Sequence, residues 1–447
     1  MEQGRLSRRG ILAQTGAGGA AALLAACGVS SGSSSAEATK AAAPKAITYV
    51  KTASADNFDR AWQEWFDAAE KATGIKTTVV REPSAGFFDK RQQEYAGGTA
   101  PADFTYNQLN WFLIGGLRGM FVDAMPYFKR DKVDTNQYLK TEFESWQWKG
   151  KLWGITFQTG GEGVMLNRQI FGEKGVKMPT KDWTYDDLIQ MSQRLNDPAK
   201  NIAGLNVGQN VIQYMAGTFM RNFGGKVLND GRNKALYAED AGSVRGTELN
   251  VDFHQKYKVT PTPNIIGLVP SGSSVFRAKM AAINIDYMGY VAAAPDLGAS
   301  NIEILPPPKG PTGAQVARIA GNCFSILSLS KAQESVWQVI KWMQSKEGTL
   351  KTSYFKTGIG WPPQLWAADS PEWIDQFKGT SIADLRKVWQ TAGHNQVVLP
   401  EGDNAIAPMN APLADALAGK IGTKEALTQS AAAVNAIFAK RPKEWEL

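Results

Sequence analysis

Apolar positions in the first third of the chain fall into two alternating rhythms. Ile47-Thr48-Tyr49-Val50 is a short β-branched and aromatic run that predicts a strand. Phe58, Trp62, Trp65, Phe66 and Ala69 then recur at the spacing of one helix face, until Gly74 supplies a C-terminal stop. Residues 75–80 read as a second strand and 88–95 as a helix. Gly97-Gly98-Thr99-Ala100-Pro101 reads as a turn and 103–106 as a strand. Strands alternating with helices predict an α/β lobe.

A second such region begins after Trp153-Gly154-Ile155-Thr156-Phe157. A strand at 164–166 leads to a helix near Ile170, and Thr184 with Asp187 forms an approximate capping box at the head of a helix running through about 196. Helical spacing returns at 211–223 and at 240–257, where Asp240 is the cap, and a strand follows at 281–285. Pro306-Pro307-Pro308-Lys309-Gly310-Pro311 is a stiff extended connection. Residues 318–329 are β-like, 331–344 helical, and roughly the last hundred residues mostly helical. Strands suited to the first lobe recur late in the chain, so more than one crossing is expected between two lobes, as in a hinged clamp. The expected division is 1–26 as a leader, 27–45 as a linker and 46–157 as the first part of the N-terminal lobe. Residues 158–320 form mainly the C-terminal lobe, and 321–447 supply returning strands and helices shared between lobes.

Composition sharpens this picture. The chain has 447 residues, and the part beyond the leader and linker, about 400 residues, is too long for one ordinary core and fits two lobes. A formal charge of +7 is spread over interspersed acids and bases, so no nucleic-acid stripe is visible. Lys440-Arg441-Pro442-Lys443 reads as a solvated helix end. Fourteen tryptophans and twelve tyrosines are an unusual number; most are expected in the core, while aromatic faces outside a core are what carbohydrate rings and other flat or amphipathic ligands pack against.

The N-terminus carries Arg5, Arg8 and Arg9, then a soft apolar stretch over 10–26 diluted by Gln14 and Thr15. It is shorter than the roughly 20 residues of a membrane-spanning helix and has the three parts of a secretory signal. Ser7-Arg8-Arg9-Gly10-Ile11-Leu12-Ala13 resembles a twin-arginine export signal, and Leu24-Ala25-Ala26-Cys27 resembles a bacterial lipobox. The resemblance implies that Cys27 becomes the first residue of the exported chain and carries lipid. Residues 28–45, rich in Ser, Gly and Ala, would then act as a flexible leash. The expected location is outside the cytoplasmic membrane, tied to it. With Cys27 lipidated, Cys323 has no disulfide partner in the chain and reads as a small buried hydrophobe.

Longer stretches resemble the extracellular solute-binding proteins of ABC importers, in the sugar-binding group typified by maltose-binding protein. Lys71-Ala72-Thr73-Gly74-Ile75-Lys76, Gly98-Thr99-Ala100-Pro101-Ala102-Asp103 and Gly119-Met120-Phe121-Val122-Asp123-Ala124-Met125-Pro126-Tyr127 are similar to successive segments of that family. So are Gly150-Lys151-Leu152-Trp153-Gly154-Ile155, where Thr156 replaces the usual proline, Leu166-Asn167-Arg168-Gln169-Ile170-Phe171, the turn at 222–231 and the strand from Lys279 to Ile283. The resemblance implies an α/β, two-lobed periplasmic-binding-protein type II fold with hinge crossings. It also implies a ligand held in the cleft between lobes and closure sensed by importer transmembrane subunits. The implied ligand is a small molecule, a sugar or oligosaccharide; the implied chain is a monomer without cofactor or metal, not an enzyme.

Candidate binding residues lie just past each expected strand. Asn107, Gln108, Asn110 and Trp111 follow the strand ending at Tyr106; amides bond hydroxyls in both directions. Trp111 either supplies a stacking face or begins a helix and packs inward. Gln158, Thr159 and Glu162 flank glycines at 160, 161 and 163 that fit either close ligand approach or a plain hinge turn. Gln209 and Asn210 either cap the helix containing Tyr214 or face the cleft. Asp286 and Tyr287 follow the strand at 281–285, Gly321 and Asn322 open the next, and Trp361 sits in a rigid Gly-Ile-Gly-Trp-Pro-Pro loop where exposure to the cleft is expected.

Catalytic patterns are weak. Gly28-Val29-Ser30-Ser31-Gly32 matches a nucleophile elbow only within the leash. His254 and His394 are the only histidines, both on expected helical or loop ground. A hydrolase using two carboxylates in the same cleft is the alternative reading.

Overall fold

The computed structural model describes residues 44–54, 56–208, 211–270, 273–288, 298–350, 355 and 360–447. Cys27 with its leader and most of the leash lies outside them, as do Gln209 and Asn210. In chain order the strands are β1 Ala46–Thr52, β2 Lys76–Glu82, β3 Phe104–Gln108, β4 Gln147–Trp148, β5 Lys151–Leu152, β6 Ile155–Gln158 and β7 Glu162–Asn167. They continue with β8 Ala203–Val207, β9 Ala281–Tyr287, β10 Ile302–Leu305, β11 Ala317–Ile319, β12 Asn322–Ile326 and β13 Gly393–Asn395.

One sheet has the order β2-β1-β3-β12-β6 and the other β10-β7-β9-β8. In the first, β1 runs parallel to β2 and β3, while the late strand β12 inserts antiparallel between β3 and β6. The helix Asp56–Thr73 buries Trp62, Trp65, Phe66 and Ala69 of the expected stripe, with Ala61 beside them and Phe58 half-buried, and ends where Gly74 takes a φ of 71°. Its rings meet Tyr49 and Phe324 of β1 and β12. Each such buried ring contributes about 1.5–3 kcal/mol, so this helix is held by packing.

Between the sheets, backbone segments lie side by side. Thr159 bridges Trp361, Gly161 bridges Ile319, and β11 pairs in parallel with β13. The polar residues at the ends of β6, β7 and β12 therefore converge on one belt.

Several expectations change. The region 211–223 is not one helix: an α-turn Val211–Tyr214 passes into a π-helix Met215–Met220 and a 3-10 turn Arg221–Phe223. The expected strand over 318–329 divides into β11 and β12 around Gly321, where a Cβ would lie 2.0 Å from Glu142 Oε1. His394 sits on β13. Arg441 is not solvated; it is buried and makes a bidentate pair with Glu401 at 2.6 and 2.9 Å. The capping box is present, with Thr184 N donating to Asp187 Oδ2 at 2.8 Å and Asp187 N donating to Thr184 Oγ1 at 3.3 Å. Among the described residues, no helix is long and apolar enough to cross a membrane.

Candidate functional site

Strand register builds the first side of the belt. Because β12 pairs with both β3 and β6, Asn322 lies opposite Gln108 on one side and Gln158 on the other. Tyr106 OH donates to Asn322 Oδ1 at 2.8 Å, and Gln108 Nε2 donates to Tyr106 OH at 2.8 Å. Asn107 points the other way, buried, with Nδ2 donating to Ser325 Oγ at 3.0 Å. Its role is to hold β3 against β12.

The second sheet contributes Glu162, Asp286 and Tyr287. Gln158 Nε2, at the end of β6, donates to Tyr287 OH at 3.3 Å, and Tyr287 OH reaches the Thr159 carbonyl at 3.3 Å. This contact ties the end of one sheet to the end of the other. It depends on Gly160, since a Cβ there would lie within 2.6 Å of the Tyr287 ring. Asp286 Oδ1 accepts from Tyr214 OH and from Tyr287 N, the latter at 2.7 Å. Burial pushes the Asp286 carboxyl above its usual range, opposed by the Tyr214 hydroxyl and by Arg318.

Beneath these lies Glu162, fully buried, its carboxylate against Gly217 of the π-helix, where a Cβ would lie 2.5 Å from Oε2. Burial pushes Glu162 up to about 7, against the pull of Arg318. The Arg318 guanidinium stands 4.5 Å from the centroid of the Tyr214 ring, and its Nη1 donates to Gln396 Oε1 at 3.1 Å. Glu162 has no exposed surface, so its carboxylate acts on the groups packed around it.

Tyr214, Asp286 and Tyr287 border a cavity of about 970 Å³ whose wall includes Asn206, Asn284 and Val211. Its size is at the upper end of small-molecule sites. Asn206 Nδ2 donates to Asn284 Oδ1 at 2.5 Å. The cavity thus presents amides, two phenols, a carboxylate, an imidazole and the Arg277 guanidinium on a partly apolar wall, groups that can hydrogen-bond hydroxyl-rich solutes. Among the described residues no group of three His, Cys, Asp or Glu could hold a metal ion.

Asn110 and Trp111 stand together at the start of the helix Leu109–Leu117. Both donate to Asp403, at 2.8 Å to Oδ1 and 2.8 Å to Oδ2. Asp403 begins the helix Asp403–Leu417, which packs on helices of the other lobe. One face of Trp111 is stacked at 5.8 Å on Phe88, so its indole edge, not a free face, meets the opposite lobe. Trp361 corrects the expectation of exposure: it is 1% exposed, packed at 4.2 Å on Trp373 and 4.9 Å on Trp389. Two proline neighbours stiffen its loop, but the ring supplies the core under the crossing. Its backbone, not its face, serves the belt by pairing with Thr159.

Sequence reasoning missed Asp403, Gln396 and Arg318. Asp403 has the guise of an ordinary acidic residue in a helix's first turn. Gln396 joins Asn110 Oδ1, at 3.2 Å, to Arg318, and nothing local marks either residue.

Comparisons with known proteins agree with this architecture. The family described as bacterial extracellular solute-binding protein matches residues 64–378. An erythritol/L-threitol-binding protein of Mycolicibacterium smegmatis is 25% identical over 390 residues, covering 78% of this chain and 79% of its own length. Among solved structures, an ABC substrate-binding protein from Listeria monocytogenes in complex with cycloalternan superposes with a TM-score of 0.76 at 17% identity, covering 89% of this chain and all of the other. A solute-binding protein from Agrobacterium radiobacter in complex with ribitol gives 0.74 at 18% identity, covering 88% of this chain and 100% of the other. At such identities these structural likenesses are of the two-lobed fold.

Proposed function

Because the chain belongs to the bacterial extracellular solute-binding protein family, we propose that it captures a sugar, oligosaccharide or sugar alcohol between its lobes and delivers it to the transmembrane subunits of an ABC importer. The reading includes export, a lipid anchor on Cys27 and a monomeric chain working outside the cytoplasmic membrane. It divides the folded part at 46–157, 158–320 and 321–447. The observation that carries it is Tyr287, which lines a large cavity beside Asp286 and Tyr214 and accepts a hydrogen bond from Gln158 at the end of the other sheet. Amide and phenol groups both donate and accept, as a neutral polyol requires, and a phenol ring adds a face for its C–H surface. The ligands of these relatives, erythritol or L-threitol, ribitol and cycloalternan, support the same class of solute.

In this reading Asn110, Trp111, Gln158, Asp286, Tyr287 and Asn322 meet or orient the ligand. Gln209, expected in the same role, lies outside the described residues. Glu162 and Trp361 support it from beneath.

A thermal-shift panel of sugars and sugar alcohols tests the proposal. A true ligand at about 100 times its Kd stabilises by roughly 2.7 kcal/mol, and it must be recovered intact. Tyr287→Ala should weaken binding at least tenfold while leaving the circular dichroism unchanged. No response to any polyol would overturn the reading, and a shortened product would favour the hydrolase. For the anchor, incorporation of labelled fatty acid should vanish in Cys27→Ala.

A further inference from the structure

A second cavity, of about 680 Å³, is walled by Arg221, Lys226, Asp230, Arg232, Asn395 and Gln396, among others. It shares no lining residue with the larger cavity. Its cations are unusual in their company. Arg221 donates through Nη1 to the ring Nδ1 of His394 and to the Asn395 carbonyl at 3.0 Å. Arg232 reaches only the Val398 carbonyl, at 3.5 Å, and stands 5.6 Å from the centroid of the Trp148 ring. Every one of these partners is neutral. Among the described residues no carboxylate lies within ion-pair distance of Arg221, Lys226 or Arg232, and Asp230, the one acid on the wall, is exposed.

Two half-buried guanidiniums share this cavity with no carboxylate in contact, and Glu162 attracts Arg221 only from beyond ion-pair distance, so desolvation and mutual repulsion are incompletely offset. Both effects register on the groups themselves: burial, then the Arg232 charge, brings Arg221 down to about 10, and burial lowers Arg232. His394 is held neutral by burial and by the Arg221 charge, so it brings no counter-charge. Guanidinium groups match planar oxyanions with paired donors.

We propose that this cavity binds an oxyanion, the carboxylate or phosphate group of a small solute, between Arg221 and Arg232 with Lys226 at its exposed edge. The anion supplies the missing counter-charge and displaces water from a basin that is already shaped. Trp148, on the β4–β5 hairpin, forms part of its setting through the Arg232 contact.

Isothermal titration of the purified chain at low ionic strength tests this, with inorganic phosphate, D-glucuronate and neutral D-glucose as probes. Saturable binding of phosphate or glucuronate is expected, weakened by added NaCl and reduced at least tenfold in Arg232→Gln. Arg232→Lys should retain part of the affinity, and the exposed Lys226→Gln should cost less than Arg232→Gln. Phosphate binding alone would assign a phosphate-bearing solute; glucuronate alone would assign a sugar acid. The proposal is overturned if neither anion binds saturably, or if binding is untouched in both Arg232→Gln and Lys226→Gln. Tyr287→Ala separates the two sites: it should abolish the response to neutral sugars and leave anion binding intact. Glucose bound in place of the anions and lost in Arg232→Gln would likewise reject an anion site.

Discussion

Glu142 and Glu162 occupy opposite sides of the crossing between the sheets, and burial pushes each up to about 7. Glu142, in the helix Lys140–Ser145, meets neutral donors at one oxygen: Trp146 Nε1 at 2.7 Å and Thr156 Oγ1 at 3.1 Å, both to Oε1. Glu162, at the head of β7, is opposed chiefly by the guanidinium of Arg318. Each carboxyl is admitted by a glycine, Gly321 for Glu142 and Gly217 for Glu162. The contrast shows two ways to keep a buried acid in a hinge. Both favour the ionised form, the neutral donors through hydrogen bonds alone and the cation with a full charge. The first lobe's side should therefore tolerate protonation of its glutamate better than the second.

The largest test removes the cation. Arg318→Met should lower stability to urea by about 3–5 kcal/mol at pH 8, because Glu162 is left as a buried charge. The loss should shrink at pH 5.5, where Glu162 takes a proton; an equal loss at both pH values would break the contrast.

Next comes the pH profile itself. Both glutamates have folded values near 7, above an unfolded value of about 4.3. The native state therefore holds extra protons between these limits, and stability falls as pH rises through that window before levelling off. Glu142→Gln and Glu162→Gln should each remove one group's share of the fall, up to about 4 kcal/mol. A wild-type profile that rises over pH 5–7, matched by both variants, would reject the role of burial.

Smaller effects follow at the glycines. Gly321→Ala and Gly217→Ala should each cost about 2 kcal/mol by overpacking, with Gly321→Ala the worse because its Cβ would approach Glu142 Oε1 to 2.0 Å. Guanidinium melts would show the order. Finally, Trp146→Phe removes one neutral donor and should cost about 1 kcal/mol, with the apparent pKa of Glu142 rising in carboxyl-resolved NMR.

Legibility divides along the same line. The helix Asp56–Thr73, its Gly74 stop and the Thr184–Asp187 capping box were readable because each is a pattern within a few residues. The π-helix Met215–Met220 was not, since one extra residue per turn leaves no mark in a helical stripe. Trp361 misled: its loop reads as exposed, yet Trp373, Phe377 and Trp389 arrive from later in the chain to bury it. Arg441 likewise lay in a run that reads as solvated until Glu401 is brought beside it. For the candidate site, the strand ends pointed to Gln158, Asp286, Tyr287 and Asn322, and these do share one belt. Asp403, Gln396 and Arg318 stayed hidden, for their partners are far away in sequence.

By itself, then, the sequence determined the alternation of strands and helices, their caps, and which polar residues stand at strand ends. Those features arise from steric and hydrogen-bonding preferences acting over a few residues. Only the tertiary structure decided which of these groups meet, which carboxyls lose their water and which arginines lack a counter-charge. Those outcomes depend on desolvation and Coulomb interactions, which follow distance in space and not position along the chain.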